Sequence, residues 1–247
     1  MTRAADIHAR MRALPVASYD TITGGGPVLV VAPHPDDESL GCGGLIARGC
    51  CLGRDLAVAV VTDGTGSHPR SRAYPAPRLR ALRENEARAA VAALGLRADR
   101  LHFLGIRDTV SPHPDAEPDR FASAAERIAA LARAIGAGAI LAPWQHDPHG
   151  DHVSAHLLAA AAAKQTGARH LSYPVWGWTL PPGHELPDAP LAGYRLDIRA
   201  ELPRKRAAIA AHASQTTRLI ADDPEGFVMP PAFRALFDAA HEVFLHA

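Results

Sequence analysis

Two short stretches of the chain concentrate the groups that hold metal ions and move protons. "HPDDE" (residues 34–38) sets His34, Asp36, Asp37 and Glu38 at the end of the apolar run "VLVVAP". "HDPHGDH" (residues 146–152) brings His146, His149 and His152 together with Asp147 and Asp151, and His156 follows one helical turn later. Pro35 disfavours helical backbone at His34, so that residue caps a strand in extended conformation. Taken alone, "HPDDE" is explained equally well as an acidic helix start, because the free N–H groups of a helix amino terminus favour carboxylates. The second stretch shifts the balance. Several histidines beside carboxylates, in two places, are poorly explained by packing. A divalent ion with His and carboxylate ligands and an open position for water accounts for them, and three protein ligands plus water is a catalytic rather than a structural pattern.

The elements that must position these stretches alternate. Residues 1–14 have helical spacing, and "GGGPVLVVAP" is a turn leading into a buried strand. A helix over "SLGCGGLIARGC" follows, its glycines suited to close packing on a sheet. Further strands are predicted at "DLAVAVVTDGTGS", "LHFLGIRD", "AILAPW" and "HLSYPVWGW", and further helices at "RLRALRENEARAAVAALG", "RFASAAERIAALARAIGAG" and "HVSAHLLAAAAAKQTG". "GYRLDI" is expected to add an edge strand before carboxy-terminal helices. The expected fold is an α/β, Rossmann-like three-layer sandwich with a mostly parallel central sheet, formed by residues 1–247 as one domain. In such sheets ligands bind beyond the carboxyl ends of the strands. Both histidine stretches sit at such ends, so the topology predicts that they converge.

Composition narrows the function classes. Lys+Arg and Asp+Glu are both 26, so no nucleic-acid partner is expected. The charged amino terminus lacks the apolar core of a signal peptide, and no apolar run is long enough for a bilayer, so a cytoplasmic protein without membrane insertion is expected. Cys42, Cys50 and Cys51 are read as reduced, buried thiols, because three cysteines in one short stretch make no disulfide framework. The "GGG" stretch precedes the first strand, and the G-x-G-x-x-G order of a dinucleotide site is missing after it, which weighs against an oxidoreductase.

"PHPDDE" followed by "HGDH" resembles the motif pair of the PIG-L/LmbE-like deacetylases, zinc-dependent enzymes acting on N-acetylglucosamine-containing substrates. The first family motif usually reads A-H-P-D-D-E, and here Pro33 stands in place of the alanine. His149, Gly150, Asp151 and His152 match the second, H-x-D-H. "VVTDGTGS", "RENEARAAVAALG", "LHFLGIRD" and "KRAAIAAHASQ" also look like family segments, in the expected order. The resemblance implies that His34, Asp37 and His152 ligate the metal, zinc or alternatively ferrous iron. It further implies that Asp36 is the general base to a metal-activated water and that a protonated His149 stabilises the oxyanion. The implied substrate is a small amino sugar or its conjugate.

The remaining polar and aromatic residues have roles of their own. Glu38 is expected to bind backbone amides or orient a neighbour, and Asp151 to bond a ligand histidine or cap a helix. His156 is read as a packing or outer-sphere residue, and His146 and Asp147 as pocket-lining or solvated loop residues. Asp63, Arg107 and Asp108 follow predicted strands and are candidates for sugar hydroxyls. Arg83 and Glu86 share a helix face and read as a surface ion pair. His212 and Gln215 fall at helical spacing without an assigned role. Trp144, Trp176 and Trp178 suit either core packing or stacking on a sugar. The competing functions are an amidase acting on a sugar-thiol or other conjugate, and a metal-holding module without catalysis. Apolar carboxy-terminal helices leave room for a homo-oligomer.

Overall fold

"VLVVA" is apolar at every position, as a strand covered on both faces must be. In the computed structural model, which describes residues 1–188 and 191–247, these residues are the middle strand of the five-stranded parallel part of the main sheet. In chain order the elements begin β1 (Thr2–Arg3), α1 (Ala4–Ala13), α2 (Tyr19–Thr23), β2 (Val28–Ala32) and α3 (Asp37–Cys51). There follow β3 (Leu56–Thr62), α4 (Ala76–Leu94), β4 (Leu101–Ile106), α5 (Pro118–Ile135), β5 (Ala139–Pro143), α6 (Gly150–Thr166) and β6 (Arg169–Tyr173). The remainder comprises β7 (Glu185–Leu186), β8 (Gly193–Asp197), α7 (Leu202–Ala211), α8 (Ala213–Thr216), α9 (Pro231–Ala235) and β9 (His241–His246).

Seven strands form one sheet in the order β4-β3-β2-β5-β6-β9-β8. The first five are parallel, and β9 runs antiparallel to both its neighbours. Successive side chains of β2 face opposite ways. Val28, Val30 and Ala32 pack with α3 and α4, whereas Leu29 and Val31 pack with α5 and α6. The expected three-layer α/β sandwich is therefore the observed one. Helix α3 lies close to the sheet because its glycines allow it: a Cβ on Gly41 would stand 2.1 Å from the Tyr173 ring, and one on Gly44 would stand 2.4 Å from Ile198.

Three expectations need correction. The carboxy terminus ends in a strand rather than a helix. Val243, Phe244 and Leu245 are buried because β9 is inserted between β6 and β8, a non-local pairing that helical periodicity does not register. The strand read through "HLSYPVWGW" stops at Tyr173, before Pro174, and Trp176–Thr179 form a 3-10 turn. Cys51 is exposed at the last turn of α3, although Cys42 is buried, and all three cysteines are free.

The chain order in the parallel part places β3 on one side of β2 and β5 on the other. This is the topological switch at which α/β sheets open a crevice beyond the strand ends. The loops after β2 and β5 carry the two histidine stretches into it.

Candidate active site and metal centre

The loop after β2 is built around Asp37. Its Oδ2 accepts the backbone N–H of His34 at 3.0 Å and lies 3.2 Å from His34 Nδ1 and 3.3 Å from His152 Nε2. The other ring nitrogen of His34, Nε2, is 3.2 Å from both Asp108 Oδ1 and Asp151 Oδ2. Carboxylates only accept, so with the ring proton on Nε2, held between two of them, Nδ1 is the nitrogen available to a cation shared with Asp37. Asp36, next in the loop, adopts φ 151°, a conformation that costs a non-glycine residue energy. Three bonds hold it there. Its N–H donates to Glu38 Oε2 at 3.0 Å, and the buried Arg83 guanidinium donates to Asp36 Oδ2 at 3.0 Å and to the Pro35 carbonyl at 2.8 Å.

The loop after β5 orients its histidines locally. Asp147 Oδ2 lies 2.9 Å from His152 Nδ1, while the two Asp147 oxygens also accept the N–H groups of Val175, Trp176 and Gly177. The fixed carboxylate accepts a hydrogen bond from Nδ1–H, which leaves His152 Nε2 facing Asp37. That nitrogen is buried and has no hydrogen-bond partner among the described residues. His34, Asp37 and His152 thus offer three inward-facing donor atoms within 4.8 Å of one another. A second grouping, His34, His149 and Asp151, meets the same distance limit. There Asp151 is already engaged by His34 Nε2 and by the N–H groups of Thr109 and Ser111, so it orients His34 from behind. The first trio suits a divalent metal ion with His/carboxylate ligands.

The carboxylates favour positive charge at this centre, whether it is borne by protons on the histidines or by a bound cation. Burial opposes charge on His34, but its bonds to Asp108, Asp151 and Asp37 outweigh that and hold its pKa well above the usual range. For His152 burial is likewise outweighed, here by Asp37 and Asp147, and the pKa rises to about 9. Asp37 is held well below the ordinary carboxylate range, because the two histidines overcome its burial. Asp36 behaves oppositely. Burial raises its carboxyl to about 7, with Arg83 pulling downward and Asp37 adding repulsion.

His149 caps α6 and accepts the Asp151 N–H on Nδ1 at 3.2 Å, so its proton resides on Nε2. Burial and the neighbouring His34 and His152 lower its pKa. Both observations favour a neutral ring that donates through Nε2, whereas the sequence reading expects a protonated His149. It lines a cavity of about 260 Å³ together with Asp36, Arg83, Asp108 and Gln215.

Other sequence assignments divide. Glu38 is buried and accepts from Ser39 Oγ at 2.7 Å while contacting His212 Nε2 at 3.2 Å, an orienting role as expected. Asp108 reaches the cavity and accepts the Gly66 N–H at 2.9 Å. Asp63 does not line it, since its Oδ1 is spent on Thr65 and on the Asp108 N–H. Arg107 is exposed and outside the cavity. His146 bonds Gln145, and His156 bonds the Pro143 carbonyl, away from the trio. Arg83 and Glu86 are no surface pair. Both are buried, and Glu86 binds Ser214 instead. Sequence reading gives Arg83 only a surface pair, Asp147 a pocket-lining or loop position, and Gln215 no role. Asp147 had a usable signal, a carboxylate five residues before a candidate ligand histidine. Trp176 lines the cavity, whereas Trp144 is core and Trp178 packs on His8.

Fold and site define an α/β enzyme with a divalent-metal centre at the switch point of its sheet. A family profile described as GlcNAc-PI de-N-acetylase matches residues 29–163, and the chain belongs to that family, the PIG-L deacetylases. It is 30% identical over 244 residues to the 1D-myo-inositol 2-acetamido-2-deoxy-alpha-D-glucopyranoside deacetylase of Rhodococcus jostii, an alignment covering 77% of this chain and 82% of the relative. Among solved structures it resembles the N,N'-diacetylchitobiose deacetylase of Pyrococcus horikoshii, with TM-score 0.64, 22% identity and coverage of 88% and 82% of the two chains. It also resembles the zinc-inhibited form of the teicoplanin deacetylase Orf2, with TM-score 0.64, 18% identity and coverage of 77% and 85%. At these identities the two structures speak for the fold. Among the described residues no helix is long and apolar enough to cross a membrane.

Proposed function

We propose that this chain, acting as one domain, hydrolyses the acetamido group of a GlcNAc-type amino sugar or its conjugate. In this reading His34, Asp37 and His152 hold the metal, zinc in the first instance with ferrous iron as the alternative. The reading rests on one observation above the others: a buried, conformationally strained Asp36 stands beside that trio in a cavity that His149 also lines.

The chemistry a cation supplies when bound there is Lewis acidity, which acidifies water and polarises an amide carbonyl. Asp36 does the proton work. Its carboxyl, raised to about 7, suits a base that takes a proton near neutral pH and returns it later. Arg83 occupies Oδ2 from one side and so fixes which oxygen meets the attacking water. His149 Nε2–H donates to the carbonyl oxygen as negative charge gathers on it, an interaction typically worth about 3 to 4 kcal/mol. The C–N bond then breaks, the amine takes the proton held by Asp36, and acetate and free amino sugar are the products. In this reading His149 donates through Nε2 throughout, and Asp36 returns the proton to the amine.

Acetate release from a panel of N-acetylglucosamine conjugates, with metal-analysed protein, tests this reading. Metal-dependent release is expected. Release of a thiol-bearing acid without acetate would favour the amidase on a sugar-thiol conjugate, and bound metal without any hydrolysis would favour a binding module.

A further inference from the structure

The cavity has an apolar side that the hydrolytic step does not use. Leu40, Trp176, Phe227, Met229 and Phe233 line it beside the catalytic groups. Three of these, Trp176, Phe227 and Phe233, continue into a wider surface groove of about 670 Å³, where Val228, Pro230 and Leu236 join them. The rings are organised. Trp176 stacks on Phe233 with centroids 4.4 Å apart, and Phe227 lies 5.7 Å from Trp176. Met229 and Phe233 are buried, but Trp176, Phe227, Val228 and Leu236 remain partly open to solvent. A contiguous apolar surface at the mouth of a polar site is suited to an apolar group of a ligand.

The polar groups of the groove are few and already engaged. Glu225, the one ionisable residue lining it among the described residues, pairs with Arg70. The Thr179 hydroxyl donates to the Trp176 carbonyl at 2.7 Å. No lysine or arginine lines the groove to receive a phosphate. Apart from the Trp176 indole N–H, no lining side chain has an uncommitted donor for the hydroxyls of a polyol.

We propose that this groove receives an apolar aglycone, an alkyl or aryl group joined to the amino sugar, so that the substrate is amphipathic. The proposal rests on the deacetylase reading and adds the class of conjugate. The acetamido group sits over the polar floor formed by Asp36 and His149, and the aglycone runs out along Trp176, Phe227 and Phe233. Neither a bare sugar nor a glycoside whose aglycone is a polyol fills the apolar side.

The test compares the methyl, hexyl, phenyl and myo-inositol glycosides of N-acetylglucosamine in acetate release by metal-loaded protein. A parallel titration follows tryptophan fluorescence as the corresponding deacetylated glycosides bind. Because a fully buried methylene is worth about fourfold in affinity, hexyl is expected to exceed methyl by about tenfold or more in kcat/KM, through KM. Phenyl should also exceed methyl, and the inositol glycoside should not. The fluorescence arm should show the same order. Val228→Asp, with Leu236→Ser as a second variant, should bring the hexyl-to-methyl ratio toward one. Acetate released equally from methyl and hexyl, or best from the inositol glycoside, overturns the groove assignment and leaves the deacetylase reading intact. No acetate from any glycoside overturns the deacetylase reading. Fluorescence then decides the groove: tighter hexyl binding supports it and equal binding overturns it.

Discussion

The loops after β2 and β5 each deliver one histidine to the trio, yet they are held in opposite ways. Residues 147–152 are held without backbone strain: Asp147 is fixed by the N–H groups of residues 175–177, Asp151 by those of Thr109 and Ser111, and His149 caps the helix it begins with a relaxed φ of −132°. Residues 34–38 are held under strain, by Glu38 nearby and by Arg83 farther along the chain. Asp36 keeps φ 151° because Arg83 and Glu38 hold it, and Glu38 in turn meets His212, 174 residues away. On the proposed roles, the difference matches the two tasks. A ligand and an oxyanion donor need only correct orientation, which a helix start and a carboxylate provide. A base beside a cation centre needs its carboxyl kept from joining the ligands, and a twisted backbone clamped by a guanidinium does that.

That contrast can be broken by substitution. His152→Ala removes an inward-facing donor and should weaken metal affinity by more than about 100-fold, the upper end for losing an outer partner. Equilibrium dialysis with zinc checks this, and unchanged affinity would remove His152 from the ligand set. Asp147→Asn leaves the ligand in place but disturbs its orientation, so a loss of about 10- to 100-fold in metal affinity is expected. Arg83→Lys acts on the other loop. It should lower kcat by about tenfold, within the range set by misplacing a catalytic group, while metal content and KM stay near their original values. Equal losses in kcat and metal content would make Arg83 a general scaffold residue. Smallest of all, Arg107→Ala should leave kcat/KM within about twofold, as for an ordinary exposed position.

The same contrast explains what was legible in the sequence. Alternating apolar runs and helical spacing revealed the parallel core, and motif order revealed that His34, Asp37, His149 and His152 converge. Long-range support left no local trace. Arg83 and Glu86 share a helix face and look like a solvent-exposed pair, because nothing nearby in sequence tells that Asp36 and Ser214 lie against them. Strand β9 was hidden for the same reason, its partners being β6 and β8 rather than a sequence neighbour. Asp63 and Arg107 show the reverse error. Position at a strand end brought them to the right side of the sheet, but turn bonds consumed Asp63, and Arg107 faces solvent.

The division of labour between Asp36 and Asp37 is the central claim, and one measurement tests it directly. Metal stoichiometry and acetate release are determined on the same preparations of the wild-type protein and the Asp36→Ala variant. The expected result is full metal content in both, with turnover in the variant lower by roughly 10²- to 10⁴-fold, the range for a general base. Loss of metal from Asp36→Ala, or turnover that survives the substitution, would contradict it.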